Sequence, residues 1–243
     1  MNNRLATAKQ YLKNSNNISS SIGTKQEKTL HQIIKYYLTL DESKHEVSID
    51  KKIVDIYINN QIYEIQTQGF DKLRSKLEAL LLNYKVTIVY PIPYIKQIYL
   101  INEYGEIISN RKSPKKGSAL EIFKELYKIK SYLKNDNLKF KIIMFNSDEY
   151  RDQIPKKHVR SKGYKRNDQI VSEIIKEYDI NKEYSLVNLL DDLNLPEVFT
   201  TEDVRKKGKV SKKTSSLVLN ILSCLGYVEK IGTKNRYNVY KRC

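Results

Sequence analysis

Hydrophobic positions along this chain recur with two periods, one near two and one near 3.6, and the change-overs mark its elements. Ile53 to Ile58 and Gln61 to Gln66 are β-branched and aromatic runs separated by Asn59-Asn60, a pair that tolerates left-handed backbone, so they predict a hairpin. His45 to Ile49 alternates and predicts a strand entering that hairpin through Asp50-Lys51. Upstream, Leu30, Ile33, Ile34, Tyr37 and Leu38 form one helical stripe, with Thr24 as N-cap and Glu27 as its capping-box partner. Downstream, Thr67-Gln68-Gly69 breaks the pattern before an amphipathic helix, Asp71 to Leu82. Leu73, Leu77, Leu80 and Leu81 lie on its inner face, and Lys72, Arg74 and Lys76 on its polar face. Lys85 to Tyr90 is continuously apolar, as in a central strand covered on both faces.

Pro91 and Pro93 predict a loop, followed by a hairpin of Lys96 to Ile101 with Glu106 to Ile108 and a basic loop, Ser113 to Ser118. Ala119 to Leu133 carries a helical stripe of Ile122, Phe123, Leu126, Ile129 and Leu133, and Leu138 to Phe145 predicts a strand. Residues 149–167 show no period. Arg151, Lys156, Lys157, Arg160, Lys162, Lys165 and Arg166 there oppose only Glu149 and Asp152, which predicts a basic linker, either solvated or laid on a DNA backbone. Beyond it, Ile170, Ile174, Ile175 and Tyr178 predict one helix and Leu186, Leu189, Leu190 and Leu193 a second. A short capped helix at Thr200 to Val204 follows, then a helix from Ser211 to Leu225 closed by Gly226, with Leu217, Val218, Ile221, Leu222 and Leu225 inward. Tyr227 to Ile231 and Arg236 to Tyr240 form a last hairpin. The organisation expected is an N-terminal arm at 1–23, holding a short helix or partly disordered, an α/β domain at 24–148, the linker at 149–167 and a smaller domain at 168–243.

Charge narrows the function. Lys plus Arg number 44 against 28 for Asp plus Glu, a net +16, which fits a polyanionic partner better than an AT-rich codon bias that would enrich Lys alone. The two cysteines, Cys224 and Cys243, make neither a zinc site nor a disulfide framework and point to a reducing compartment. The most apolar stretch, Val86 to Ile101, is broken by Pro91, Pro93 and Lys96, so a soluble, cytoplasmic protein without membrane attachment is expected. His31, His45 and His158 lack metal-ligand spacing, and Gly208-Lys209 lacks the upstream glycine of a phosphate loop.

The chemistry concentrates in the first hairpin. A two-residue loop pairs Ile58 with Gln61 and so sets Asp55 opposite Glu64, with Gln66 on the same face and Val54, Ile56, Ile58, Tyr63 and Ile65 on the other. Like charges directly across a strand pair cost about 0.2–1 kcal/mol. A divalent cation or a shared proton would offset that; the blander alternative is a solvated edge whose acids keep it soluble. A two-residue turn at Asp50-Lys51 would also set Glu46 beside Asp55.

Asp55 and the tripeptide Glu64-Ile65-Gln66, with the preceding helix, the meander, the following helix and the strand Lys85 to Tyr90, resemble the core of the PD-(D/E)XK nuclease superfamily over roughly residues 24–91. The resemblance implies an α/β fold with a mixed, restriction-endonuclease-like sheet. It also implies Mg²⁺, with Mn²⁺ as substitute, on Asp55 and Glu64, and a further carboxylate from Glu27 or Glu46. Gln66 stands where the family usually has Lys; some restriction enzymes of the superfamily also use Gln there, and Lys72 or Lys76 from the next helix could supply the amine. Residues 168–243 resemble a winged helix-turn-helix domain by element order. That resemblance implies duplex-DNA contacts from Lys212, Lys213, Thr214, Ser216 and Asn220 on the long helix and from Lys234 and Arg236 at the wing. Together they imply a metal-dependent DNA endonuclease, a phosphodiester hydrolase, which would act as a homodimer if it cuts both strands. The alternative is a non-catalytic DNA-binding regulator or adaptor with a degenerate nuclease fold.

Overall fold

Asn59 and Asn60 take φ of 50° and 61°, the paired left-handed geometry of a type I′ turn, whose twist matches the strands it joins. They connect β2 (Lys52–Ile58) to β3 (Gln61–Ile65) in the expected antiparallel register, Ile58 with Gln61, Tyr57 with Ile62 and Ile56 with Tyr63. Asp50 and Lys51, at φ 48° and 62°, make a second turn of the same kind from β1 (His45–Ile49). The computed structural model describes residues 1–14, 26–154, 163–181 and 184–243, leaving aside the side chains of residues 26–28. It is a mixed α and β structure.

Two helices, α1 (Asn2–Asn14) and α2 (Gln26–Leu38), precede β1, and α3 (Arg74–Leu80) follows β3 after a 3-10 turn at Phe70–Leu73. β4 (Lys85–Ile101) runs parallel to β3, Glu64 beside Ile88 and Ile65 beside Val89, then antiparallel to β5 (Ile107–Lys112). A helical stretch containing α4 (Phe123–Leu126) leads to β6 (Leu138–Gln153) and β7 (Tyr164–Ile180). The strand order is β1-β2-β3-β4-β6-β7, with β5 on β4. A 3-10 helix at Leu186–Leu193, β8 (Val198–Thr200), α5 (Thr201–Lys207), α6 (Lys212–Cys224), β9 (Val228–Lys234) and β10 (Tyr237–Arg242) complete the chain, and the last strands form a separate sheet ordered β8-β10-β9.

Two units emerge, both discontinuous in sequence: Met1–Val47 with Pro91–Gly117 and Ile143–Glu177, and Ser48–Tyr90 with Ser118–Ile142 and Tyr178–Cys243. In the first, α1 packs on α2, burying Leu5, Ala8 and Leu12 of one and Ile33, Ile34 and Tyr37 of the other. The Tyr37 hydroxyl donates to Glu177, and the Arg4 guanidinium lies 5.0 Å over the Tyr37 ring. Glu149 is buried between Lys96 at 2.8 Å and Arg151; burial works to raise its pKa, but the two cations hold it below the usual range.

The second unit holds the acid hairpin. Its buried residues include Val54 and Ile56 of β2, Ile62 and Ile65 of β3, Val86, Ile88 and Val89 of β4, Leu77 and Leu80 of α3 and Phe123 and Leu126 of α4. α6 packs on α4 and α5, and β8 reaches β10. Thr200 caps α5 by accepting from the Asp203 N–H while the Asp203 carboxylate accepts from the Thr200 N–H, and Ser211 caps α6 by accepting from Thr214.

The structure corrects several expectations. Residues 164–180 are a strand, not the end of a linker and a helix. Asn167, Gln169 and Val171 are buried in alternation, then the buried set changes phase to Ile174, Tyr178 and Ile180. That shift produces three- and four-residue spacings that imitate a helix, and the buried amides hide the alternation. β6 likewise runs on to Gln153; residues 155–162 of the expected linker lie outside the described residues. β4 passes through Pro91 and Pro93 without a loop. The β3–β4 ladder ends at Ile65 beside Val89, so neither proline lies within it. Ala119–Leu133 is no single helix: 3-10 turns flank α4, and Ile129 breaks the helical backbone at φ −119°. The last hairpin turns at Asn235-Arg236, φ 49° and 67°, giving longer strands than expected. The helix expected within 1–23 is α1; Thr24, the expected cap of α2, lies outside the described residues.

Gly117 donates its N–H to the Tyr94 carbonyl at 2.8 Å, and a Cβ there would stand 2.2 Å from the Pro93 carbonyl oxygen. Gly117→Ala is therefore expected to destabilise the protein by about 1–3 kcal/mol, read as a lower denaturant midpoint at unchanged m-value.

Candidate functional site: a carboxylate pair and a helix-borne lysine

β3 is buried on both faces, Ile65 on one and Ile62 and Glu64 on the other, with Glu64 only 5% exposed. The last residue pair of the β2–β3 ladder is Ile56 with Tyr63, so Asp55 comes next, opposite Glu64. The ladder ends here because Asp55 intervenes: its Oδ2 accepts the Ile65 N–H at 2.7 Å, a donor that points toward β2. One carboxylate is thus fixed by a backbone donor, and the other is sealed beneath α3.

Lys76, on α3, brings its ammonium to 2.6 Å from Glu64 Oε1. The contact is a short ion pair, and Glu64 Oε1 has no other polar partner among the described residues. Burial, then the neighbouring Asp55, push the Glu64 carboxyl up to about 7, with Lys76 working in the opposite direction. Two hard oxygen donors set opposite each other and in mutual repulsion fit a divalent cation. Asp55 and Glu64 are the residues that could hold it. No group of three or more His, Cys, Asp or Glu able to hold a metal is present among the described residues.

The other predicted site residues are placed as follows. The Gln66 side-chain amide donates to the Gln68 carbonyl, while its backbone N–H continues the pairing to Val89 at 2.9 Å. Glu46 takes a left-handed φ of 51° and accepts from the Lys35 ammonium at 2.7 Å with its side chain 72% exposed. Glu27 lies on α2, and its side chain is among those not described. Lys72 is exposed, so of the two lysines considered on this helix it is Lys76 that reaches Glu64.

Sequence reasoning missed Glu125. Buried on α4, its Oε2 accepts from the N–H groups of Gly69 at 2.7 Å and Phe70 at 3.0 Å, and Lys128 bonds both of its oxygens. It therefore caps the 3-10 turn that feeds α3 and fixes the loop behind Gln66. Only its three-residue spacing to Lys128 was visible beforehand, and that spacing says nothing of a cap 55 residues away.

Lys212, Lys213, Ser216, Asn220, Lys234 and Arg236 are exposed. Thr214 is a correction: fully buried, its hydroxyl lies 2.8 Å from the Ser211 hydroxyl within the α6 cap, because the cap turns that position inward. Leu217 is half-buried, and Leu219, not expected inward, fills the core.

The raised Glu64 pKa fixes the sign of a pH effect. The folded protein holds this proton more tightly than the unfolded chain, whose Glu titrates near 4.5, so stability falls as pH rises from there to about 7. Denaturant unfolding across that window is expected to show the stability of Glu64→Gln gaining steadily on the wild type, then running parallel to it above pH 8.

Among the described residues no helix is long and apolar enough to cross a membrane. No solved structure matches this chain. An uncharacterized protein of Treponema pallidum (strain Nichols) is 30% identical over 189 residues, covering 77% of this chain and 75% of that protein. The domain of unknown function DUF8091 matches residues 28–181, a span that holds Asp55, Glu64, Lys76 and Glu125 and stops before the C-terminal helices. The chain belongs to the DUF8091 family.

Proposed function

We propose that this protein is a metal-dependent DNA endonuclease of the PD-(D/E)XK kind, with Asp55, Glu64 and Lys76 as its working residues and a winged helix as its DNA-positioning module. The observation that carries the reading is the opposed carboxylate pair with an ammonium 2.6 Å from Glu64. The elements α2, β1-β2-β3, α3 and β4, with β4 parallel to β3, follow the order of that superfamily's core. The run from the 3-10 helix at 186–193 through β8, α5, α6, β9 and β10, with the sheet order β8-β10-β9, supports the winged helix from Ser185 onward.

A divalent cation on Asp55 and Glu64 would supply the Lewis acidity that neutralises charge on the scissile phosphate and activates water. The chain's own residues do the rest. The Ile65 N–H orients Asp55, and burial under α3 keeps bulk water from Glu64. Lys76 takes the place of the family's strand lysine, which removes the need for Gln66 to do that work. The basic excess supplies phosphate contacts along the duplex.

A second reading, a DNA-binding adaptor with a degenerate nuclease fold, is favoured by the Gln66 amide, which is turned to the Gln68 carbonyl. Purified protein with Mg²⁺ or Mn²⁺ decides between them. Cleavage of duplex, single-stranded or branched DNA is expected, reduced at least about 100-fold by Asp55→Ala and by Lys76→Met while DNA affinity persists. Tight DNA binding with no cleavage of any substrate in either metal would establish the adaptor.

A further inference from the structure

A cleft of about 500 Å³ opens between α6, the β9–β10 hairpin, the start of α5 and Lys130. None of its lining residues belongs to the carboxylate pair, and none is acidic. Lys130 and Lys230 bring two ammonium groups to it, neither in an ion pair among the described residues; Lys130 donates to Asn220 Oδ1 at 2.9 Å. The side chains of Thr201, Ser223 and Asn238 also line it, and they make no hydrogen bond within the described residues. Thr201 is nearly buried, 9% exposed.

A concave wall of cations and uncommitted hydroxyl and amide groups, free of carboxylate, suits one chemistry. The ligand must carry negative charge and several acceptor oxygens, each able to take a charge-assisted hydrogen bond. A metal cation is excluded by the lysines, and an apolar ligand by the polar walls. We infer that this cleft binds a phosphate group, held by Lys130 and Lys230 and oriented by Thr201, Ser223 and Asn238. Lys130 comes from the helical stretch that follows α4, so the site is not confined to the C-terminal elements. A phosphate bound there ties α6 and the hairpin to the helices behind the carboxylate pair. The inference deepens the DNA-binding part of the proposed function and does not rest on cleavage.

Backbone phosphate of DNA and free phosphate share this chemistry, and a salt titration separates them. The full chain and its Lys130→Gln/Lys230→Gln variant are titrated with a short random-sequence duplex at several salt concentrations, and separately with pyrophosphate. The expected result is weaker duplex binding by the variant, with a log K against log salt slope shallower by about 0.9 for each lysine, restored by the double arginine variant. An unchanged duplex slope together with pyrophosphate binding that the variant loses would assign the cleft to a free phosphate ligand. An unchanged slope with no pyrophosphate bound by the wild type would overturn the inference. Asp55→Ala, run alongside, should leave the slope intact, so failure of cleavage and failure of the cleft are read separately.

Discussion

The structure around the acid hairpin depends on one electrostatic problem: a strand buried on both faces carries a carboxylate, and another carboxylate stands opposite it. An ionised carboxyl removed from water is costly unless paired, and a like charge alongside adds to the cost. Three groups answer it. The Ile65 N–H takes Asp55 out of competition, Lys76 supplies a cation at Glu64, and the Glu64 carboxyl titrates near 7, so that close to neutrality a proton can stand in for the missing charge. The first two have structural consequences: the β2–β3 ladder stops at Ile56, and α3 must lie across the acid face.

That second consequence explains the investment in Glu125. A helix whose lysine must meet a buried carboxylate has little freedom in axial rotation, since one residue of slip turns a side chain by about 100°. The chain enters α3 through Gly69 in the left-handed region, φ 75°, where a β-carbon would be strained, and through a 3-10 turn whose first N–H groups are gathered by the Glu125 carboxylate. Arg74 adds a second tie, donating to the Lys128 carbonyl at 2.8 Å. The loop between the acid strand and the lysine helix is thereby clamped from α4 and the turn beyond it.

How much of this was legible follows from the range of the interactions. The hairpin register was readable because a two-residue Asn-Asn turn fixes pairing locally, and the caps of α5 and α6 were readable because Thr200-Asp203 and Ser211-Thr214 are three residues apart. Lys76 could be proposed as a partner but not selected over Lys72, because the choice depends on how α3 rotates over the sheet. Glu125 was invisible, its partners lying 55 and 56 positions away. The strand at 164–180 was misread for a different reason: buried Asn167 and Gln169 break the usual link between burial and hydrophobicity, since Gln169 is satisfied by Ser147 at 2.8 Å and Asn167 by Asp152 at 2.7 Å.

The position of the lysine bears on what Gln66 can mean. In a core whose ammonium sits on the acid strand itself, replacing that residue by an amide removes the only fixed positive charge and leaves the carboxylates to repel. Here the ammonium arrives from α3, so the charge at the pair does not depend on residue 66. Gln66 is then free to serve the loop, and its bond to the Gln68 carbonyl helps close the turn into Gly69 and the helix that carries Lys76. Gln66 thus belongs to the scaffold that delivers Lys76, and the electrostatic balance of the carboxylate pair is kept by a different residue on a different element.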